Sequence, residues 1–267
     1  MNRINETFKR LKAEGKKAFI PYIAAGDPDM KTSGKIVRVL AAEGADLIEL
    51  GIPFSDPLAD GPTIQMATQR SLAAGCTVRK VLDMVAELRR GMDVPMVFMT
   101  YYNIIFNYGV GRFIRDAKRS GADGIIVPDL PMEESEELTE IADKEDFCVI
   151  LLAAPTTPPD RFRKLSGRSR GFIYYVSVTG VTGIRKKLSE RLENDVIKLR
   201  KLTSKPICVG FGISDPSQAR DIARVSDGII VGSAIIKVLA GHLGDKKRMV
   251  SSVEKFARSI ARAVHGV

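Results

Sequence analysis

Two carboxylic acids, Glu49 and Asp60, lie close together in the sequence but in unlike surroundings. Glu49 interrupts a short apolar run at residues 47–50, and a loop rich in glycine and proline follows at once. Side chains alternate between the two faces of a strand, so Glu49 shares its face with Leu47. Burying a carboxylate there costs free energy unless the group is paired or protonated, which raises its pKa and suits it to proton transfer. The run therefore predicts a general acid–base at a strand end.

The second acid, Asp60, lies in a loop that three nearby prolines stiffen, because each proline fixes its own φ. A desolvated acid on a strand and an acid on a loop able to close over a ligand have the separate environments that let paired carboxylates take different roles. The alternative is structural, with Glu49 as an acid at a strand edge and Asp60 as the cap of a helix beginning near Thr63. These residues alone leave both interpretations open, since a perturbed acid is only a candidate for function.

Eight apolar runs typical of strands alternate with segments typical of helices. The predicted strands are residues 18–24, 47–50, 95–100, 124–127, 147–152, 171–176, 206–209 and 227–231. Runs that are apolar nearly throughout indicate strands covered on both faces, as in parallel sheets. Eight such units in one chain predict an α/β fold, a closed (β/α)8 TIM barrel that spans residues 1–267 as a single domain. The alternative is an open doubly wound sheet, although no GxGxxG follows the first strand.

Three segments depart from the simple alternation of strand and helix. An extra N-terminal helix with Ile4, Phe8 and Leu11 on one face precedes the first strand, where it would cover part of the barrel. Two helical segments separated at Gly75 follow the second strand, so this connection carries an extra helix. Residues 101–109, after the third strand, are predicted to form a loop.

Glycine-rich turns follow three consecutive predicted strands, at residues 180–183, 210–212 and 232–233. Glycine there exposes backbone N–H groups and the positive end of the next helix to an anion. One such turn is weak evidence, because glycine also ends strands for conformational reasons. Three of them predict a phosphate clamp at the carboxyl rim of the barrel. Aromatic residues predicted at the same rim, Tyr22, Tyr101, Tyr174 and Phe211, suit a flat apolar group, so the expected substrate is phosphorylated and has an apolar end.

The composition argues against several other classes of protein. The formal net charge is +9, but no aromatic residues interleave with the basic clusters and no nucleic-acid motif is present, so nucleic-acid binding is not expected. No apolar run approaches the ~18 residues of a membrane span, and the N-terminus lacks the apolar core of a signal peptide, so we expect a cytoplasmic protein. Two histidines near the C-terminus and three scattered cysteines disfavour a metal site, a histidine-dependent triad and a disulfide framework.

Six segments carry a resemblance to a known family. Residues 21–28, 49–63, 129–135, 178–183, 210–213 and 231–234 closely resemble the α subunit of tryptophan synthase, in the order in which that family has them. The resemblance implies retro-aldol cleavage of indole-3-glycerol phosphate to indole and glyceraldehyde 3-phosphate. It also implies an α2β2 assembly in which indole passes to a β subunit that holds pyridoxal phosphate, with no cofactor in the present chain.

The roles that the resemblance implies for single residues agree with the assignments made from their chemistry. Glu49 would protonate the indole ring at C3 and assist loss of the glycerol hydroxyl proton, while Asp60 would stabilise the ring N–H as positive charge develops. The substrate-binding residues would be Tyr22, Ile64, Tyr101, Tyr174, Thr182, Gly183, Phe211, Gly212, Gly232 and Ser233. The face that meets the β subunit would comprise Phe54, Asp56, Asn103, Asn107 and Pro131.

The loop after the sixth strand is expected to close over the site, with Thr182 positioning it. The sequence departs from the family at Tyr22, where phenylalanine is frequent, at Ala24, where threonine is frequent, and at Val178, where some members have arginine. Two rival functions are another phosphosugar barrel enzyme and a barrel that only activates the β subunit. The acid pair, together with the lack of a catalytic histidine or an obvious lysine at a strand end, disfavours the first. The intact Glu49 and Asp60 disfavour the second.

Overall fold

A computed structural model of the protein describes residues 2–176, 185–210 and 212–267. Nine parallel strand segments alternate with helices along this part of the chain. The strands are β1 Ala18–Ala24, β2 Ile48–Gly51, β3 Met96–Met99, β4 Gly124–Ile126, β5 Cys148–Ile150, β6 Leu152–Ala153, β7 Ile173–Val176, β8 Ile207–Gly210 and β9 Gly228–Val231. The α-helices are α1 Arg3–Ala13, α2 Met30–Ala42, α3 Pro62–Ala73, α4 Val78–Arg89, α5 Tyr102–Tyr108, α6 Val110–Ser120, α7 Glu136–Lys144, α8 Pro159–Arg168, α9 Arg185–Arg200, α10 Pro216–Val225, α11 Ser233–Ala240 and α12 Lys246–His265, with a 3-10 turn at Met132–Glu134.

The strands form one sheet that closes into a barrel. Their order is β5-β4-β3-β2-β1-β9-β8-β7-β6, and its two end segments are consecutive pieces of the chain joined through Leu151. The predicted fifth strand divides there because the Leu151 N–H donates to the Ser169 hydroxyl at 3.1 Å instead of to a neighbouring strand. The predicted TIM barrel is confirmed, including the extra N-terminal helix and the two helices α3 and α4 after β2.

The barrel interior is a packed apolar core, and α1 closes it at the amino-terminal rim. Alternate strand residues point inward, and the side chains that cluster there are Ala18, Ile20, Leu47, Val97, Ile126, Cys148, Ile150, Phe172, Cys208 and Ile230. Ile4, Phe8 and Leu11 of α1 pack against them, and the Phe8 and Phe172 rings lie 5.5 Å apart. The lower half of the barrel is therefore filled, and in barrels of this kind ligands bind at the carboxyl rim.

Three aspartates tie neighbouring strands together at the amino-terminal rim. Each precedes a strand, accepts a backbone N–H from the adjacent strand and pairs with an arginine. The N–H bonds are Phe19 to Asp46 at 3.0 Å, Met96 to Asp123 at 2.9 Å and Ile207 to Asp227 at 2.9 Å, and the arginines are Arg10, Arg89 and Arg200. Because each bond joins two particular residues, it opposes a shift in strand register.

The prediction of a loop at residues 101–109 is wrong, because Tyr102–Tyr108 is the helix α5. Two pairs spaced four residues apart stabilise its turns. The Tyr102 and Phe106 rings lie 6.2 Å apart, and the Asn107 amide donates to the Asn103 side chain at 2.9 Å. The Tyr102 N–H, which a helix leaves without an internal partner, donates to the Asp129 carboxylate at 2.9 Å.

Among the described helices, none is both long enough and apolar enough to cross a membrane.

Candidate active site

Glu49 projects from β2 into the upper part of the barrel. Tyr22 on β1 and Val97 on β3 flank it in register, and the residue is 1% exposed. Within the described part of the chain its Oε2 atom has no hydrogen-bond partner. Burial, and then the charge of Asp60, raises the pKa of Glu49 to about 8. At neutral pH the group therefore holds a proton that it can donate.

Asp60 lies half-buried in the loop between β2 and α3. Its N–H donates to the Pro57 carbonyl at 3.1 Å, and the Gln65 amide donates to the Asp60 carbonyl at 2.9 Å. Burial raises the pKa of its carboxyl to about 6, although a hydrogen bond from Tyr101 acts in the opposite direction. The N-cap of α3 is Gly61, with no side-chain cap, so the alternative of Asp60 as a helix cap is wrong. The carboxylate is left available to the site.

Two tyrosine rings line the barrel beside the acids, and glycines make room for them. A Cβ at Gly51 would lie 2.2 Å from the Tyr22 hydroxyl, and one at Gly210 would lie 2.5 Å from the Tyr174 hydroxyl. Any larger residue at these strand ends would displace a ring. Burial, and then the charges of the two acids, holds the pKa of both phenols well above its usual value. Both phenols therefore remain neutral in the physiological pH range.

A small apolar cluster adjoins Tyr22. Ile64, at the start of α3, packs into it, as does Met99 at the end of β3. The other members are Ala24, Ala67 and Ile236. Sequence reasoning missed Met99, although the alternation that turns Val97 inward also turns Met99 inward. The cluster offers a flat apolar group a surface next to both acids.

Glycine turns at the ends of β8 and β9 form the opposite side of the site. Gly212 has a φ of 73°, which glycine adopts readily and other residues rarely do. Gly232 is the N-cap of α11, which begins at Ser233, so the first N–H groups of that helix are free to bind an anion. A Cβ at Gly232 would lie 3.1 Å from the Tyr22 ring, so this turn adjoins the tyrosine wall. Three further predicted residues, Thr182, Gly183 and Phe211, lie outside the described residues.

The site combines a proton donor with a fixed negative charge. Between pH values of about 6 and about 8, Asp60 is ionised while Glu49 remains protonated. Such a pair suits proton transfer to a substrate whose positive charge grows in the transition state. In the described ranges no three His, Cys, Asp or Glu side chains gather as metal ligands.

We predict that Gly212→Val raises the KM for a phosphorylated substrate more than it lowers kcat. Valine at a φ of 73° is strained, and its side chain would block the approach of an anion to the backbone. Gly15→Val is the matched control, because Gly15 has a φ of 66° but lies beyond the end of α1 with open space around it. Steady-state kinetics of both variants, with KM and kcat measured separately, test this prediction. An unchanged KM in Gly212→Val would place the anion site elsewhere.

The residues predicted to meet a partner lie on one rim of the molecule. Phe54 lies in the loop between β2 and α3, and its ring is tilted against that of Tyr101 with the centroids 5.2 Å apart. Asn103 and Asn107 lie exposed on α5, Asp56 lies exposed in the β2–α3 loop, and Pro131 is exposed where the 3-10 turn begins. Sequence reasoning missed two apolar neighbours, Leu58 and Phe106, which are 92% and 66% exposed. Single exposed apolar residues are common, but two of this size on adjacent segments favour a protein contact.

Comparison with known proteins agrees with the geometry. The family model described as tryptophan synthase alpha chain matches residues 8–265. The tryptophan synthase alpha chain of Geotalea uraniireducens is 48% identical over 248 residues, which is 93% of each chain. The crystal structure of tryptophan synthase subunit alpha from Legionella pneumophila superposes with a TM-score of 0.94 at 36% identity and covers 100% of both chains.

A chain of the aminoacrylate-bound tryptophan synthase of M. tuberculosis superposes with a TM-score of 0.87 at 32% identity, covering 99% of the present chain and 100% of that one. The likeness thus extends over the whole barrel, including β2 with Glu49 and the loop with Asp60. The protein belongs to the family of tryptophan synthase alpha chains.

Proposed function

We propose that the protein cleaves indole-3-glycerol phosphate to indole and glyceraldehyde 3-phosphate. The observation that carries the proposal is the buried carboxyl of Glu49, which is protonated at neutral pH beside the charge of Asp60. Its Oε2 atom has no hydrogen-bond partner among the described residues. A retro-aldol cleavage needs an acid that protonates the ring carbon and a base that accepts the hydroxyl proton. One carboxyl can do both in succession.

The chemistry balances with these two acids alone. Glu49 gives its proton to C3 of the indole ring, and the carboxylate of Asp60 stabilises the ring N–H as positive charge develops. The bond between C3 and the glycerol carbon then breaks, and its electron pair returns to the ring. The hydroxyl on the departing carbon becomes the aldehyde and loses its proton to Glu49, which is thereby restored. Both acids act most strongly in the transition state.

The remaining parts of the site suit the two ends of this substrate. The apolar cluster around Ile64 and the rings of Tyr22 and Tyr174 provide an apolar surface for indole beside the acids. The turn at Gly212 and the start of α11 at Gly232 and Ser233 offer N–H groups to the phosphate. We assign Thr182, Gly183 and Phe211 to the same site on the family resemblance.

The proposed partner is a tryptophan synthase β subunit in an α2β2 assembly in the cytoplasm. The face that would meet it contains the five predicted contact residues, and the exposed Leu58 and Phe106 extend it. Pyridoxal phosphate would belong to the β subunit, and the alpha reaction would need no cofactor in the present chain. This rim combines apolar side chains with two amides and one carboxylate. Stable protein interfaces have a similar mixture of apolar and polar groups.

Indole release from indole-3-glycerol phosphate tests the proposal. The purified chain should release indole slowly alone and much faster once a β subunit is added. Release that rises with the partner would support both the lyase activity and the assembly. A folded chain that releases no indole under either condition would refute the proposed reaction.

The cleavage should have a bell-shaped dependence of kcat/KM on pH. Asp60 must be ionised, so activity should fall as the pH drops through its pKa of about 6. Glu49 must be protonated at the start, so activity should also fall as the pH rises through its pKa of about 8. Because the two acids interact, the limbs report apparent values for the pair. A flat profile between pH 5 and about 9 would contradict this assignment.

A further inference from the structure

The geometry points to Tyr101 as a positioning residue that holds the Asp60 carboxylate in its working orientation, beyond any contact with substrate. The residue lies at the carboxyl end of β3, is 6% exposed and precedes α5 directly. This inference rests on the proposed function, because Asp60 must stabilise a positive charge for its orientation to matter.

The phenol oxygen of Tyr101 connects this residue to the Asp60 loop. The phenol oxygen accepts the backbone N–H of Ala59 at 2.9 Å, which holds the phenol beside Asp60. A hydrogen bond from the same phenol lowers the pKa of the Asp60 carboxyl. The first bond fixes the loop at the residue before Asp60, and the second fixes the side chain. A hydroxyl that accepts one hydrogen bond is polarised by it. The hydrogen bond that the same hydroxyl donates is therefore stronger.

The surroundings keep the tyrosine itself in place and neutral. Its ring contacts that of Phe54 in a tilted arrangement with the centroids 5.2 Å apart. The next residue, Tyr102, begins α5 and donates its N–H to Asp129 at 2.9 Å. Burial, and then the charge of Asp60, raises the pKa of the Tyr101 phenol, so it remains a donor throughout the working pH range. Tyr101 can therefore act as a fixed support, at the start of a short helix, for an acid on a loop.

Tyr101→Phe removes both hydrogen bonds of the phenol and leaves the ring contact with Phe54. We expect kcat for indole release to fall about tenfold, the effect of losing a hydrogen bond to a charged group. The KM should remain within about twofold, since the ring that could touch substrate is retained. The acidic limb of the pH profile should move to higher pH, because the carboxylate of Asp60 has lost a donor that stabilises its charged form.

A readout independent of catalysis separates this inference from the proposed reaction. Titration of the protein labelled with carbon-13 aspartate, followed by NMR and assigned with Asp60→Asn, reports the pKa of Asp60 directly. That pKa should be higher in Tyr101→Phe than in the unmodified protein. If the unmodified chain cleaves no indole-3-glycerol phosphate, the proposed reaction fails, while the titration still tests the bond between Tyr101 and Asp60.

Tyr102→Phe is the matched control, because it removes a phenol from the adjacent residue. The Tyr102 ring packs on Phe106, and no hydrogen bond joins its phenol to Ala59 or Asp60. Its kinetics and its Asp60 titration should equal those of the unmodified protein. An unchanged Asp60 pKa in Tyr101→Phe, or a raised KM with unchanged kcat, would overturn the inference and leave Tyr101 as a wall of the substrate pocket.

Discussion

Replacing Glu49 with glutamine is expected to lower the rate of indole release by at least ~100-fold while the barrel stays folded. Glutamine keeps the shape of the protonated side chain but cannot give a proton to C3 or take one from the hydroxyl. The substitution should not lower the free energy of unfolding. Folding raises the pKa of Glu49 to about 8. The folded protein therefore loses stability as the pH rises from the pKa that Glu49 has in the unfolded chain to about 8.

Kinetics and thermal unfolding together measure this effect. The Tm of Glu49→Gln at pH 8 should equal or exceed that of the unmodified protein, because the neutral amide removes the cost of a buried charge. Glu137→Gln, an exposed change on α7, is the control and should alter neither quantity. Near-normal turnover by folded Glu49→Gln would remove Glu49 from the mechanism.

Asp60→Asn is expected to lower kcat by ~100-fold or more, the usual effect of removing one group that stabilises transition-state charge. The amide fills the same space but cannot balance a positive charge on the ring nitrogen. The variant should also shift the basic limb of the pH profile to lower pH. The charge of Asp60 is one cause of the raised pKa of Glu49, and removing that charge makes Glu49 easier to ionise.

The shift of the basic limb in Asp60→Asn distinguishes an electrostatic effect on Glu49 from structural damage to the loop. Asp160→Asn, in the exposed first turn of α8, provides the control for loss of one surface charge. Full kcat in Asp60→Asn would show that the ring nitrogen is stabilised by another group. A lowered kcat with an unmoved basic limb would mean that the two acids do not interact as their positions indicate.

The barrel could be predicted because the sequence patterns that produce its strands and helices are local and repeat along the chain. Each strand is a run of apolar residues bounded by glycine, proline or polar residues, and the helices that were predicted have a helical period of apolar residues. Helix α5 was missed because its apolar and polar residues follow no amphipathic period and a glycine follows directly at Gly109. Its stability comes from pairs such as Tyr102 with Phe106 and from Asp129, a residue distant in sequence.

The candidate site was predictable in its chemistry but not in its shape. Glu49 and Asp60 stood out because acids are unusual in an apolar strand and in a proline-rich loop. The role of Gly51 depends on a ring from the neighbouring strand, and only the folded register shows that Tyr22 occupies the space above it. Exposure is a property of the tertiary structure too, so neither Leu58 nor Phe106 could be identified as surface residues from sequence.

The three aspartates that bond neighbouring strands lie at the end of the barrel opposite to Glu49 and Asp60. Alignment of the sheet is therefore secured by residues that take no part in chemistry. The loops beyond the carboxyl ends of the strands can therefore change in sequence. A change there disturbs neither these bonds nor the packing of α1 against the core. A designer who wished to give this scaffold a new substrate could exchange those loops and keep these three aspartates.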